Sequence, residues 1–280
     1  MGPATNDARL FQSGSGQWEV FKNLHVRGAD GGRALRCWST DAVVPYGCRY
    51  MIWMDYYGGM ILMDMSSQLQ SSSSSKNPPK LRYVPLPVDR VGDPEDIEFG
   101  ARGCPKASRR VCVTRHGVKF VSVDSQHWSN FGVGHRHVLT WSHRFRITTR
   151  SLREHDDYTW RKDLTMHEEE FWDALDRADH RFRFPHAQPE FPVVDMENPD
   201  VVVFRLEKDD FYRGGEPKWM IEVDLRKKVL WAATAYSKKE SDGLSGDADA
   251  INSARVSRYD PIPSELPRYL DGGQACKRRQ

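Results

Sequence analysis

No run of about 20 apolar residues occurs anywhere in the sequence, so no segment reads as a membrane-spanning helix. The opening residues, MGPATNDARLFQ, lack the basic start and the apolar stretch of a secretory signal. Met-Gly comes first, but Asn6 stands where a myristoylation signal wants Ser or Thr. Cysteine is scarce. Cys37, Cys48, Cys104, Cys112 and Cys276 are an odd five without tight spacing, which reads as reduced thiols. Neither sign of charge dominates: 41 basic residues against 39 acidic ones leave a formal net charge of +2. That balance removes any general electrostatic reason to bind nucleic acid or an anionic membrane. Catalytic signatures are missing too, with no Gly-x-Ser-x-Gly elbow, Walker loop or dinucleotide fingerprint. Together these absences point to a cytoplasmic or nuclear protein with no membrane association.

What the chain has in quantity is aromatic side chains: nine Trp, ten Tyr and twelve Phe in 280 residues. With 39% hydrophobic residues it can bury a core, and its length fits one large domain or two small ones. A hairpin plan recurs. Ile52-Trp53-Met54-Asp55 turns at Tyr57-Gly58-Gly59 into Met60-Ile61-Leu62-Met63-Asp64. Val111-Cys112-Val113-Thr114 turns at Arg115-His116-Gly117 into the run Val118 to Asp124, and Met220 to Asp224 turns at Leu225 to Lys228 into Val229 to Ala232. Each pairs two β-prone runs across a short turn, and glycine at the first two turns is read as supplying positive φ.

Two weaker hairpins extend the series, one from Leu10 to Phe21 and one from Phe145 through Glu154-His155-Asp156-Asp157 to Trp160. The turns recur on average about every 53 residues, the spacing of propeller blades lengthened by inserts, with an irregular β-sandwich as the alternative. Leu81 to Pro87 alternates cleanly, its prolines confining it to an edge or a strand end. Val201 to Leu206 reads as a buried strand. MHEEEFWDALDR, residues 166–177, is the helix candidate, with acids clustered in its first turn. Residues 66–80, with serines from Ser71 to Ser75, read as a flexible insert, and residues 237–280 as a largely disordered tail.

Each chemical candidate has a plainer explanation. His135 and His137 share a face of an extended segment near His127 and His143, but no ligand spacing is completed, and solvated loop histidines explain them better. His167-Glu168-Glu169-Glu170 imitates a zincin only until Phe171, which occupies the place of the second histidine. Cys112 lies inside an alternating strand and reads as packing rather than as a nucleophile. The strip from His143 to Arg150 offers Phe145, with Trp141 nearby, as base-stacking candidates. Alternation turns Phe145 and Ile147 to one face and Arg144, Arg146 and Arg150 to the other, as on any half-buried strand. Asp55, Asp64, Asp124 and Asp224 end hairpin strands, where turn hydrogen bonds account for them. Trp53, Trp160, Trp219 and Trp231 read as packing between adjacent blades. No catalytic, cofactor-binding or metal-binding residue is assigned.

Several co-ordered motifs carry a family resemblance. Ile52 through Asp64 resembles the W-V-D-x-x-x-G-I-L-x-x-D core of the plant domain-of-unknown-function family 1618, and Leu81-Arg82-Tyr83-Val84-Pro85-Leu86-Pro87 its L-R-Y-V-P-L-P stretch. Glu197 to Val202 and Trp219 to Arg226 match as well, so the similarity covers roughly residues 38–236. The resemblance implies a propeller-like domain akin to those associated with F-box proteins, and no established activity or ligand residues.

The expected architecture is therefore all-β: a β-propeller-like array of about five four-stranded blade-type units over residues 1–236, with closure left open and a short helix near 168–176. The expected function is an interaction scaffold with a protein partner, without cofactor. The rival is an enzyme or small-molecule receptor with its site in the propeller channel.

Overall fold

The computed structural model describes residues 8–12, 16–29, 34–36, 38–66, 78–88, 104–126, 144–154, 157–178, 183–207 and 218–236. The serine run, His127, His135, His137, His143, Trp141 and the 237–280 tail lie outside the described residues. The chain divides into two compact units. One holds the described part of 1–103 with Glu154–Thr159, and the other that of 104–153 and 160–274.

In the first unit, β1 (Ala8–Gln12) and β2 (Gln17–Phe21) form a two-stranded antiparallel ribbon. A five-stranded sheet follows, built from β3 (Val26–Arg27), β4 (Ala42–Tyr46), β5 (Tyr50–Asp55), β6 (Gly59–Asp64) and β7 (Lys80–Pro85) in the order β3-β7-β6-β5-β4. Only the β3–β7 pairing is parallel. Ile52 faces Leu62 and Met54 faces Met60 across β5 and β6, and all four are buried. Side chains alternate across a strand, so these pairs stack one face of the sheet with apolar surface. The prolines behave as expected: Pro45 sits in edge strand β4, and Pro85 is the last residue of β7.

Glycine at the β5–β6 turn has a different cause from the one the sequence suggests. Neither Gly58 nor Gly59 adopts positive φ, whereas Gly117 does, at 117°. At Gly59 the constraint is steric, since an added Cβ would fall 2.5 Å from the ring of the buried Tyr83. The glycine-free turn after Asp224 instead places Lys228 at φ 54°.

In the second unit, β8 (Arg109–Thr114), β9 (Gly117–Gln126), β10 (Arg144–Arg153) and β11 (Thr159–His167) form a sheet ordered β11-β10-β9-β8. Helix α1 (Glu168–Asp176) follows directly. It is the helix expected near 168–176. A second sheet holds β12 (Glu190–Val194), β13 (Val201–Leu206), β14 (Lys218–Asp224) and β15 (Val229–Tyr236) in sequential order. One core joins these elements: Val121, Val123, Phe145 and Ile147 from the first sheet, Phe171 and Leu175 from the helix, and Val202, Phe204, Ile221 and Val223 from the second sheet. Aromatic edges meet there, with Phe171 5.4 Å from Phe145 and 6.0 Å from Phe204 between ring centroids.

Four expectations need correction. The described residues form three sheets of four or five strands and one two-stranded ribbon, not about five four-stranded units. The hairpins turning near residues 116 and 156 share a single sheet, because β9 pairs with β10, Val123 opposite Ile147. Of the four tryptophans read as inter-blade packing, Trp219 is buried, Trp53 and Trp160 are half-buried, and Trp231 is 56% exposed on the edge strand β15. The thiols are not all reduced, since Cys48 is disulfide-bonded while Cys104 and Cys112 are free. That disulfide removes one support for a cytoplasmic or nuclear location. No helix among the described residues is long and apolar enough to cross a membrane.

Candidate functional site

The strand-end aspartates shape turns. Asp55 accepts the backbone N–H of Tyr57 at 2.9 Å, and Asp224 accepts those of Arg226 and Lys227 at 3.0 and 2.8 Å. Asp64 accepts the N–H of Ser66 and a bidentate contact from Arg49, and Asp124 accepts the Ser122 hydroxyl. Asp195, not singled out from the sequence, does the same work in the β12–β13 loop, accepting from Glu197 and Asn198. Asp124 is the exception to the strand-end reading, since it lies inside β9 opposite Arg146 and shapes no turn.

In the second unit these turns meet. The N–H of Arg115 donates to the carbonyl of Met196 at 3.1 Å, and the Nε2 of His116 lies 3.3 Å from the carbonyl of Glu197, tying the β8–β9 turn to the β12–β13 loop. The N–H of Leu225 donates to the carbonyl of Asp200 at 2.9 Å, bringing in the β14–β15 turn. Together with β9 and β11, these segments border an open recess of about 420 Å³ lined by His116, Lys119, Arg161, Lys162, Asp163, Pro199, Asp200 and Arg226.

The ionised lining is ordered. Lys119 Nζ donates to Asp163 at 2.8 Å, and both side chains are nearly buried, at 10% and 7% exposure. Asp163 also accepts the Ser151 hydroxyl, and Arg161 at 3.2 Å. Burial alone would push the Asp163 carboxyl up, but the bonds from Lys119 and Ser151 outweigh it and hold the carboxyl below its ordinary value. Arg226 grips Asp200 bidentately through Nε and Nη2. A recess with cations fixed in place by carboxylates can hold an anionic group. Among the described residues, no group of three or more His, Cys, Asp or Glu is placed to hold a metal ion.

The other candidates fall elsewhere. Cys112 is fully buried, its Sγ accepts the N–H of Val194 at 3.3 Å, and desolvation pushes its thiol up to about 11. His167 precedes helix α1, its own N–H donating to Glu170 at 3.0 Å. Phe145 and Ile147 are buried while Arg144 is exposed and meets Glu169 at 3.3 Å, so the basic strip is the polar side of a strand. A second cluster lies in the first unit, where Tyr46 stacks on Tyr50 at 6.0 Å and Arg82 lies over Tyr158 at 4.6 Å. Burial and a hydrogen bond with Tyr158 push the Tyr50 hydroxyl up to about 12.

Sequence reasoning did not assemble the recess. One signal was present: Lys119 stands in the run Val118-Lys119-Phe120-Val121, where a buried strand demands a partner for any charge.

Fold and site define a protein of consecutive antiparallel β-meanders with a basic recess where three of their turns meet. The model of the family described as "Protein of unknown function (DUF1618)" matches residues 53–203, more than half of the chain, and the protein belongs to that family. No curated protein and no solved structure matches it.

Proposed function

We propose that the chain is a protein-interaction scaffold of the β-propeller type, occupying residues 1–236 and recognising its partner at the recess of the second unit. Three successive four-stranded meanders, β4–β7, β8–β11 and β12–β15, support the blade reading, since propeller blades are consecutive up-and-down sheets of this size. The observation that carries the recognition role is the recess itself, with Lys119 and Arg161 presented from strands and Arg226 from a turn, each held by a carboxylate. Affinity purification of the tagged full chain from its native tissue, followed by mass spectrometry, tests the reading. A reproducible protein partner that is lost when Arg226 is replaced by Glu is the expected result. Recovery of no reproducible partner overturns it.

A further inference from the structure

The cations of the recess outnumber the carboxylates that hold them. Lys119, Arg161 and Arg226 bring three positive charges against the two negative charges of Asp163 and Asp200, leaving one uncompensated. Lys162 stands between Arg161 and Asp163 on β11, whose side chains meet, so its own side chain takes the other face of the strand. We propose that this recess binds a phosphoryl dianion, presented by a phosphorylated serine, threonine or tyrosine of a partner segment. The proposal rests on the scaffold reading and names the chemistry of its ligand.

Charge comes first. A phosphate monoester carries about −1.5 to −2 at neutral pH and presents three acceptor oxygens, so it draws on the excess positive charge and the spare donors more strongly than a single carboxylate does. Donor supply comes second. A guanidinium has five N–H groups. Arg226 commits Nε and Nη2 to Asp200, and Arg161 commits Nη2 to Asp163, so each keeps donors to spare. Both side chains remain open to solvent, 62% and 60% exposed, so those donors are accessible.

Preorganisation comes third. The carboxylates that hold Arg161 and Arg226 remove rotamer freedom that a ligand would otherwise have to freeze. Beneath them the Lys119–Asp163–Ser151 network forms a nearly buried floor. An RNA strand is the less suitable occupant. It needs a basic stripe along its backbone, but Arg144 and Arg146, elsewhere on the same sheet, are partnered by Glu169 and Asp124.

The test is a set of anisotropy titrations of the full chain with a degenerate phosphoserine peptide library, the matched unphosphorylated library, inorganic phosphate and oligo(U) RNA. The phosphorylated library is expected to bind about tenfold or more tighter than its unphosphorylated match, as charge-assisted bonds to a dianion require. Inorganic phosphate should compete weakly. Arg226→Glu and Arg161→Glu should each abolish the preference, while Lys22→Glu, an exposed lysine in the other unit, should leave it intact. Equal binding of the two libraries overturns the proposal, as does a preference that survives both recess variants. Inorganic phosphate binding as tightly as the peptides overturns presentation by a partner, and equal displacement by oligo(U) overturns the choice of a peptide. If the phosphate preference is absent but purification still recovers an Arg226-dependent partner, the scaffold reading stands and this one falls. If no partner is recovered, the scaffold reading falls by itself.

Discussion

Two residues show how a single side chain is constrained from outside its own strand. Gly59 is required by the Tyr83 ring rather than by its backbone angle, so Gly59→Ala should destabilise the protein by about 1–3 kcal/mol through overpacking. Gly58→Ala, whose Cβ would meet only the Tyr83 hydroxyl at 3.5 Å, should cost clearly less in the same urea titration. Equal costs would contradict the steric account. Asp163 is constrained by charge. Asp163→Asn leaves Lys119 buried without its partner, which should cost about 3–5 kcal/mol. The sign of its pH dependence follows from the depressed folded pKa. Stability from Asp163 is complete above the unfolded value of about 3.9 and disappears as pH falls through the lower folded value. Acid titration of Asp163→Asn should therefore lack this part of the low-pH loss, and an acid limb unchanged from the parent would refute the assignment.

Among the elements, helix α1 is central to its unit. Phe171, fully buried, meets Phe145 and Phe204 of the two sheets as well as its neighbour Trp172. Phe171→Ala should cost about 3–5 kcal/mol, measured by chemical denaturation. Trp53→Ala, at a half-buried ring, should cost less. A larger cost at Trp53 would mean that the inter-blade reading of that tryptophan was right after all. Elements were the most legible level of the sequence. Alternating apolar runs, glycine turns and the acidic start of α1 announced the hairpins, the helix and most strands, but β3, β4 and β12 were not read from the sequence. Two irregularities were silent. Phe191 takes φ 52° beside the β12 register shift, with the Arg205 guanidinium 4.1 Å above its ring. The turn after Asp224 uses Lys228 where a glycine would be looked for.

At the scale of the whole molecule, the cysteines report which parts open. Cys104 is exposed, Cys112 is fully buried with its thiol raised to about 11, and Cys48 is disulfide-bonded. Native-state alkylation read by mass spectrometry should modify Cys104 rapidly and leave Cys48 unmodified unless a reductant is added. Cys112 should react only as the core of its unit opens. Rapid labelling of Cys112 in the folded protein would contradict the packing of Val194 against it.

The β class, the hairpins, the turn role of Asp55, Asp64 and Asp224 and the family were all determined by the sequence, because each depends on residues close together along the chain. Which hairpins share a sheet was decided only in the tertiary structure. Period-two alternation fixes the face a side chain takes and is silent about which strand lies alongside, so the pairing of β9 with β10 left no local mark. The recess is non-local for the same reason. Lys119, Asp163, Asp200 and Arg226 come from four separate segments, and each alone reads as an ordinary polar residue of a strand or turn. Burial of Lys119 within an apolar strand forces its charge to find a carboxylate from another strand, and the convergence of the turns adds Arg226 to the same recess.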